Sequence, residues 1–518
     1  NVLREQARAE DAEGMYRRAI RLDPGFADAY SGLGSVLHER DLFDDADQAY
    51  RRCLALQPDA PAGYFNLASL LVDRGRPAEA VSVCRQGIQR SRRVGELPEL
   101  QRILGSALAQ LGDFSSALAA YRAAAALDPD NARALWGCGV ALIQTGSEVE
   151  GLRWLERAAQ LEPGKPEFRS AMAQVCLALG DFQTGWQEYL WRPARRGFAE
   201  KYSPRELANE PPADWAGTSV CLLHEQGLGD ELFFLRFAAG LGPRGARVTY
   251  RASPKIAPLL GRVPALDRII TDADPLPAAD LLMLAGDLPR MLHKLDASPC
   301  RAPAVPFPDF QAGAMCGLSF RRLPRVFYPE PPPPLALAAA PQQLREMERR
   351  LGGLGPPPYL GLTWRAGTDP EAQRGNIWLL HKEVPLDLLG TAMRGVNGTL
   401  LALQRNARPG EIEEFSARAG RPVHDLTKLN EDLEALLALL ALVDDYIGVS
   451  NTNMHLRAGT GRTARVLVPR PAEWRWLVSG KESPWFPGFG IYRQRPDGDW
   501  QADLDRLAGD LQVKFGGR

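Results

Sequence analysis

The chain has 518 residues, too many for one hydrophobic core, so two to four domains are expected. Charged residues make up 24% of it and the formal net charge is −1, which excludes the basic footprint of a protein whose main partner is nucleic acid. No apolar run approaches the ~20 residues of a membrane-spanning helix. The seven cysteines (Cys53, Cys84, Cys138, Cys176, Cys221, Cys300 and Cys316) are scattered without a CxxC, as reduced core cysteines of a cytoplasmic protein would be. The six histidines form no HExxH and no His/Cys cluster, so no protein-held metal is expected. The first residues are polar, carry no signal-peptide pattern, lack a Met and start inside a repeat, which suggests a piece of a longer chain.

Residues 1–197 read as an α-helical solenoid. Pro24 and Pro58 are 34 residues apart, and so are Pro129 and Pro163. That spacing is the tetratricopeptide period. Within it, Tyr30, Leu33, Gly34, Leu37, Ala46, Tyr50 and Pro58 occupy the motif positions, and Leu104, Gly105, Leu108, Ala117, Tyr121, Ala124 and Pro129 repeat them. Small residues let paired helices touch, and prolines end the second helix of each repeat. Looser copies, one with extra residues near Ser91 to Gly95, bring the total to five full repeats and one partial. The partial one, residues 1–26, reads as the end of a first helix and a second helix. Such arrays bind extended or helical segments of other proteins in a concave groove; a purely structural array is the alternative. Trp186 to Pro193 close the last repeat and are expected to cap the array and pack on the next domain.

Residues 198–217 read as a connector. Strands then alternate with helices, in the pattern of a parallel α/β unit. Expected strands are Val220–Leu223, Arg247–Arg251, Arg268–Ile270 and Asp280–Leu284, with helices Glu231–Leu241 and Pro254–Arg262. This first half, 218–340, ends in a stiff proline-rich spacer that includes Pro331 to Pro334. A second half, 341–518, opens with helix Pro341–Leu351. Strands Tyr359–Trp364, Leu400–Gln404, Asp444–Val449 and Ala464–Val468 follow, and an amphipathic tail helix ends it. Two doubly wound, Rossmann-like halves predict a cleft between them, with ligands at the carboxyl ends of strands.

Three stretches carry polar groups to those ends. The first is GLGDE, with Gly227, Gly229, Asp230 and Glu231. It is neither GxGxxG nor a Walker A loop, which argues against a dinucleotide enzyme or an NTPase. The second is VSNTNMH, where Ser450, Asn451, Thr452 and Asn453 read as a helix start and His455 lies in its first turn. The start is either an ordinary cap or a phosphate grip. His455 is either structural or part of that grip. The third is GLTWRAG, where Arg365 is a surface arginine or an anion ligand. Glu231 reads as a first-turn carboxylate serving the helix dipole, with a basic role as the alternative; Glu225 and His224 are further candidate bases. Trp474, Trp476 and Trp485 are packing residues or a stacking surface for a nucleobase.

The ordered set GLGDE, GLTWRAG, VSNTNMHL, RVLVPRPAEWRWL and ESPWFPG resembles the two-domain glycosyltransferases related to the bacterial heptosyltransferases, in the branch fused to tetratricopeptide repeats. The resemblance covers about 216–512. It implies a GT-B fold, a metal-independent transferase, no cofactor and a nucleotide-sugar donor. It places the acceptor-side base on Asp230 and the donor-phosphate site on Ser450, Asn451, Thr452 and His455. Asn451 stands where the family usually has Asp. The architecture is similar to bacterial flagellin glycosyltransferases, which implies transfer of a nonulosonic acid, from a donor such as a CMP-linked sugar, to Ser or Thr of flagellin recruited by the repeats. The alternatives are an enzyme acting on lipopolysaccharide or another glycan, and a non-catalytic repeat adaptor or chaperone.

Overall fold

The computed structural model describes residues 2–90, 97–202, 206–292, 331–367 and 382–516. Cys300, Cys316 and the insertion at 91–95 lie outside them. The described residues form two compact units, one ending at Ala171 and one running from Met172 onward. The division falls inside helix Pro166–Leu179, earlier than the end of the repeat pattern near residue 197.

The first unit is helical. Residues Val2–Leu22 form one continuous helix rather than the end of one helix and a second. Helical pairs follow: Ala27–Glu39 with Phe43–Leu56, Pro61–Asp73 with Pro77–Arg90, Leu97–Gln110 with Phe114–Leu127, and Ala132–Gln144 with Glu148–Leu161. Side chains that compete for backbone amides start several of them. The Asp113 carboxylate accepts from Ser116 N at 3.0 Å, and the Asn131 side chain accepts from Ala134 N at 3.0 Å. Within each pair the chain reverses at a left-handed residue: Asp41, Gly75, Gly112 and Gly146 all have positive φ. Glycine also sets the closeness of the helices. A Cβ on Gly105 would lie 2.7 Å from the Tyr121 ring, and one on Gly34 would lie 2.5 Å from the Tyr50 ring.

The second unit contains two parallel sheets, as the alternating pattern predicts. Strands β1 (Ser219–Leu223), β2 (Arg247–Arg251), β3 (Arg268–Ile270) and β4 (Leu281–Leu284) form a sheet in the order β3-β2-β1-β4. Later strands are β5 (Tyr359–Thr363), β6 (Arg365–Ala366), β7 (Lys382–Glu383), β8 (Thr399–Ala402), β9 (Val423–Asp425), β10 (Asp445–Val449), β11 (Arg465–Val468) and β12 (Gly490–Arg493). Six of these make a second parallel sheet, β12-β11-β10-β5-β8-β9, while β6 and β7 pair antiparallel. Strands buried on both faces need unbroken apolar runs, and β10 is buried along its whole length. In the larger sheet the winding reverses between β5 and β10, and in the smaller one between β1 and β4. Crevices open at the carboxyl ends of such neighbours. Those ends carry the three stretches singled out in the sequence.

Two helices differ from expectation. The helix after β1 begins at Leu228, inside the glycine turn, and runs to Leu235 before a 3-10 segment Arg236–Gly240. The one expected at 254–262 shrinks to Ala257–Leu260. The helix Phe182–Glu188 belongs to the second unit. Its Trp186 is buried and meets Trp474 and Trp485 edge-on, with ring centroids 5.3 and 6.1 Å away.

Candidate functional site

The glycine turn after β1 is held at both ends. Gln226 takes the left-handed conformation, with φ of 60°, while Gly227 is extended and caps helix Leu228–Leu235. The tight bend is therefore at Gln226, not at a glycine. Gly229 serves a different purpose. A Cβ there would lie 3.2 Å from His455 Cδ2 and 3.7 Å from Thr452 Cα. The absence of a side chain lets helix Leu228–Leu235 rest against the first turn of helix Thr452–Gly459.

Asp230 is thereby brought beside the start of the Thr452 helix. One carboxylate oxygen accepts from Gly227 N at 3.4 Å, and the other pairs with Arg475. Arg475 also pairs with Glu473, and Glu473 pairs with Lys382 Nζ at 2.5 Å. Four alternating charges thus run Lys382, Glu473, Arg475, Asp230. Asp230 is the open end, with its side chain 27% exposed against 6% for Arg475. Burial opposes the charge on Glu473, but Lys382, Arg475 and the Ser450 hydroxyl hold its carboxyl well below the usual range. Burial lowers the basicity of Arg475, yet Asp230 and Glu473 more than offset this and keep it charged.

A second arginine, Arg236, is buried nearby. Its Nη1 donates to Trp485 O at 2.6 Å, and its guanidinium lies 4.4 Å from the Phe233 ring centroid. Arg475 lies 4.6 Å from the same centroid. Burial and the neighbouring Arg475 bring the Arg236 pKa down to about 9. His455 is buried, and burial followed by Arg475 and Arg236 pushes its pKa well below the ordinary value, so it is neutral. Its Nδ1 has no hydrogen-bond partner among the described residues.

The remaining candidates divide by what they touch. Asn451 caps the Thr452 helix through Met454 N at 3.2 Å, and its amide donates to Thr363 Oγ1 at 2.9 Å and Tyr446 Oη at 3.0 Å. Ser450 and Asn453 are buried and bond Glu473 and Tyr446. Their side chains are committed to protein, so the first-turn amides are what this helix start offers to an anion. Arg365 is not placed to serve one. It forks onto Glu411 at 2.6 and 3.1 Å, and Glu411 also takes Trp364 Nε1 at 2.9 Å. Glu231 is likewise unsuited to be a base. Tyr250 Oη and Ser253 N donate to one of its oxygens at 2.7 and 2.9 Å, and Ser253 Oγ to the other at 2.8 Å, which pins the helix to the end of β2. Glu225 is locked onto Arg192, and His224 lies 3.4 Å from Asp272. Trp474, Trp476 and Trp485 are buried and pack against other side chains.

Sequence reasoning passed over Lys382, Glu473 and Arg475. The available signal was a glutamate and an arginine alternating with tryptophans in Glu473–Trp476. Charges in so apolar a run are buried only when paired.

Tetratricopeptide-repeat models match residues 1–46 and 39–92, and a TPR repeat model matches 105–146. Among solved structures, the chain is similar to YrrB, described as a TPR protein with an unusual peptide-binding site, at 18% identity and a TM-score of 0.29, covering 36% of this chain and 97% of that one. It is similar also to PilW, a type IV pilus biogenesis factor, at 17% identity and a TM-score of 0.34, covering 39% and 90%. Protein FlbA of Caulobacter vibrioides is 25% identical over 473 residues, which is 84% of this chain and 70% of that protein. The chain thus joins an N-terminal array of tetratricopeptide repeats to a parallel-sheet α/β region, and it has a relative that spans both.

Proposed function

We propose that the α/β region is a metal-independent glycosyltransferase of the GT-B type, and that the repeats recruit its protein acceptor. The observation that carries this reading is the contact of Gly229 with Thr452 and His455, which sets an accessible carboxylate, Asp230, beside a helix start. A hydroxyl of the acceptor attacks the anomeric carbon of a nucleotide sugar. Asp230 takes the hydroxyl proton as the new carbon–oxygen bond forms. The bond from the anomeric carbon to the phosphate oxygen breaks, and negative charge gathers on the departing phosphate. The first-turn amides of the Thr452 helix and the positive end of its dipole stabilise that charge. Ser or Thr side chains of flagellin are the acceptor groups in this reading, and a CMP-linked nonulosonic acid is the donor.

The test is intact-mass analysis of flagellin expressed with and without the full chain. A mass increment that needs the chain and disappears with Asp230→Asn supports the reading. An increment that survives Asp230→Asn removes Asp230 as the base. If no increment forms while the chain still binds the acceptor, the repeat-adaptor reading takes over.

A further inference from the structure

Glu225 and Gln226, the two residues that lead into the glycine turn, are gripped by a segment that lies outside the sheet. Arg192 forks onto Glu225, with Nε to Oε2 and Nη2 to Oε1 both at 2.7 Å. The same guanidinium pairs with Asp287 at 2.8 Å and donates to Tyr189 O at 3.1 Å. Glu225 Oε1 also accepts from Gly286 N at 2.6 Å, so Glu225 joins the segments that follow β1 and β4. Arg192 and Glu225 are both almost wholly buried. Three residues before Arg192, Tyr189 Oη accepts from Gln226 Nε2 at 3.0 Å. Gln226 is the left-handed residue of the turn, and a non-glycine there stays put only where its surroundings hold it.

The same segment reaches the other half of the site. Phe182 packs edge-on against Trp485 with centroids 4.9 Å apart, Trp186 packs on Trp474, and Val478 N donates to Ala178 O at 2.9 Å. Trp474 and Val478 flank Arg475 in the chain, so one bracket, Ala178 to Arg192, touches both the turn that carries Asp230 and the stretch that carries Arg475. In sequence this bracket reads as the last, degenerate repeat.

We infer that Tyr189 and Arg192 are positioning residues for Asp230, fixing the turn at Glu225 and Gln226 so that the carboxylate meets the Thr452 helix start. The inference rests on the reading of Asp230 as proton acceptor. A catalytic group displaced by ~1 Å can lose about 100-fold in rate without any loss of substrate affinity. Tyr189→Phe removes one hydroxyl and no packing. Arg192→Lys keeps the charge and loses the fork.

Both variants are made in the full chain. Backbone amide exchange is followed at residues 224–231, alongside the thermal midpoint. Transfer to flagellin is measured with CMP-, UDP-, ADP- and GDP-linked sugars. The expected result is at least about 10-fold faster exchange confined to 224–231 and a 10- to 100-fold lower kcat with KM for the nucleotide sugar unchanged. Unchanged exchange in both variants overturns the inference. So does a rise in KM at constant kcat. Should the unaltered chain transfer no sugar, the proposed activity falls, and exchange at the turn alone decides whether the bracket holds it. Where Arg192→Lys lowers the thermal midpoint through its burial, Tyr189→Phe, with the midpoint kept, carries the decision.

Discussion

Arg475 is the link in the charge chain whose loss should cost most. Its side chain is 6% exposed and pairs with Asp230 on one side and Glu473 on the other. The Glu473 side chain is 7% exposed. Arg475→Met keeps apolar volume against Phe233 and Trp474 but leaves the Glu473 carboxylate with Lys382 and Ser450 alone. Removing one partner of a buried pair costs ~3–5 kcal/mol. Lys382 remains 2.5 Å from Glu473, so the lower end, about 3 kcal/mol, is expected. Cutting the same Arg475–Asp230 pair from the other end should be much milder. Asp230→Asn alters a partly exposed side chain and leaves Arg475 on Glu473, at a cost of no more than ~1 kcal/mol. Urea unfolding of the full chain, followed by tryptophan fluorescence, reports on the second unit through buried Trp186, Trp474, Trp476 and Trp485. Acid gives an independent check. The folded pKa of Glu473 is depressed, so its contribution is present above the unfolded value of ~4.3 and is lost as pH falls. Arg475→Met lets that carboxyl climb, so stability should fall less steeply below pH ~5 than in the unaltered chain. If Arg475→Met costs no more than Asp230→Asn, the charge chain is not what holds these segments.

His455 is buried neutral, so an unfolded chain takes up a proton below pH ~6.5 that the folded one refuses. The unfolding midpoint should fall between pH 7 and 5, and His455→Gln should flatten that part of the profile. In the first unit, Gly105→Ala places a Cβ 2.7 Å from the Tyr121 ring. Overpacking of ~1–3 kcal/mol should outweigh the ~1 kcal/mol that alanine contributes in a helix, so the helical unfolding midpoint by circular dichroism should drop. Gly164→Ala, which meets nothing within 4 Å, should not lower it. Removing residues 1–165 should leave a folded α/β region. Removing 1–197 also takes away Trp186, Tyr189 and Arg192 and should leave aggregated protein, as soluble yield and near-ultraviolet circular dichroism would show.

What the sequence disclosed, and what it withheld, follows from the range of each interaction. The repeats are legible because their signals are local: pairs of prolines 34 residues apart, a glycine against a tyrosine, a reversal inside each pair. The apolar strands are legible for the same reason. β9 and β12, Val423–Asp425 and Gly490–Arg493, mix polar with apolar residues at sheet edges and present no apolar run. The site is harder to read, because its partners are distant. Arg475 and Asp230 are 245 positions apart, so nothing near Trp474 announces the pairing. Arg365 misleads for the same reason. At the end of a strand it looks free, and the glutamate that occupies it lies 46 positions on. Glu231 is correctly read as sitting in a first helical turn, but its burial against Tyr250 and Ser253 depends on β2, which sequence spacing does not place.

The two helix starts that meet at Gly229 are not equivalent, and the difference follows from electrostatics. Both present open amides and the positive end of a helix dipole. The Leu228 helix carries Asp230 in its first turn, with the carboxylate bonded to Gly227 N. Its dipole is already answered by a fixed negative charge, which repels any phosphate brought to it. The Thr452 helix has no acidic residue in its first turn. Its cap is the neutral Asn451, and the Glu473 carboxylate that Ser450 bonds is neutralised by Lys382 and Arg475. An Asp in place of Asn451 would add a negative charge at that cap and weaken its hold on an anion. Asn451→Asp should therefore lower affinity for a free nucleotide such as CMP, while Asp230→Asn should leave it unchanged or raise it. Calorimetric titration of both variants separates the two helix starts, and equal losses would show that they share one anion site rather than dividing acid from cation.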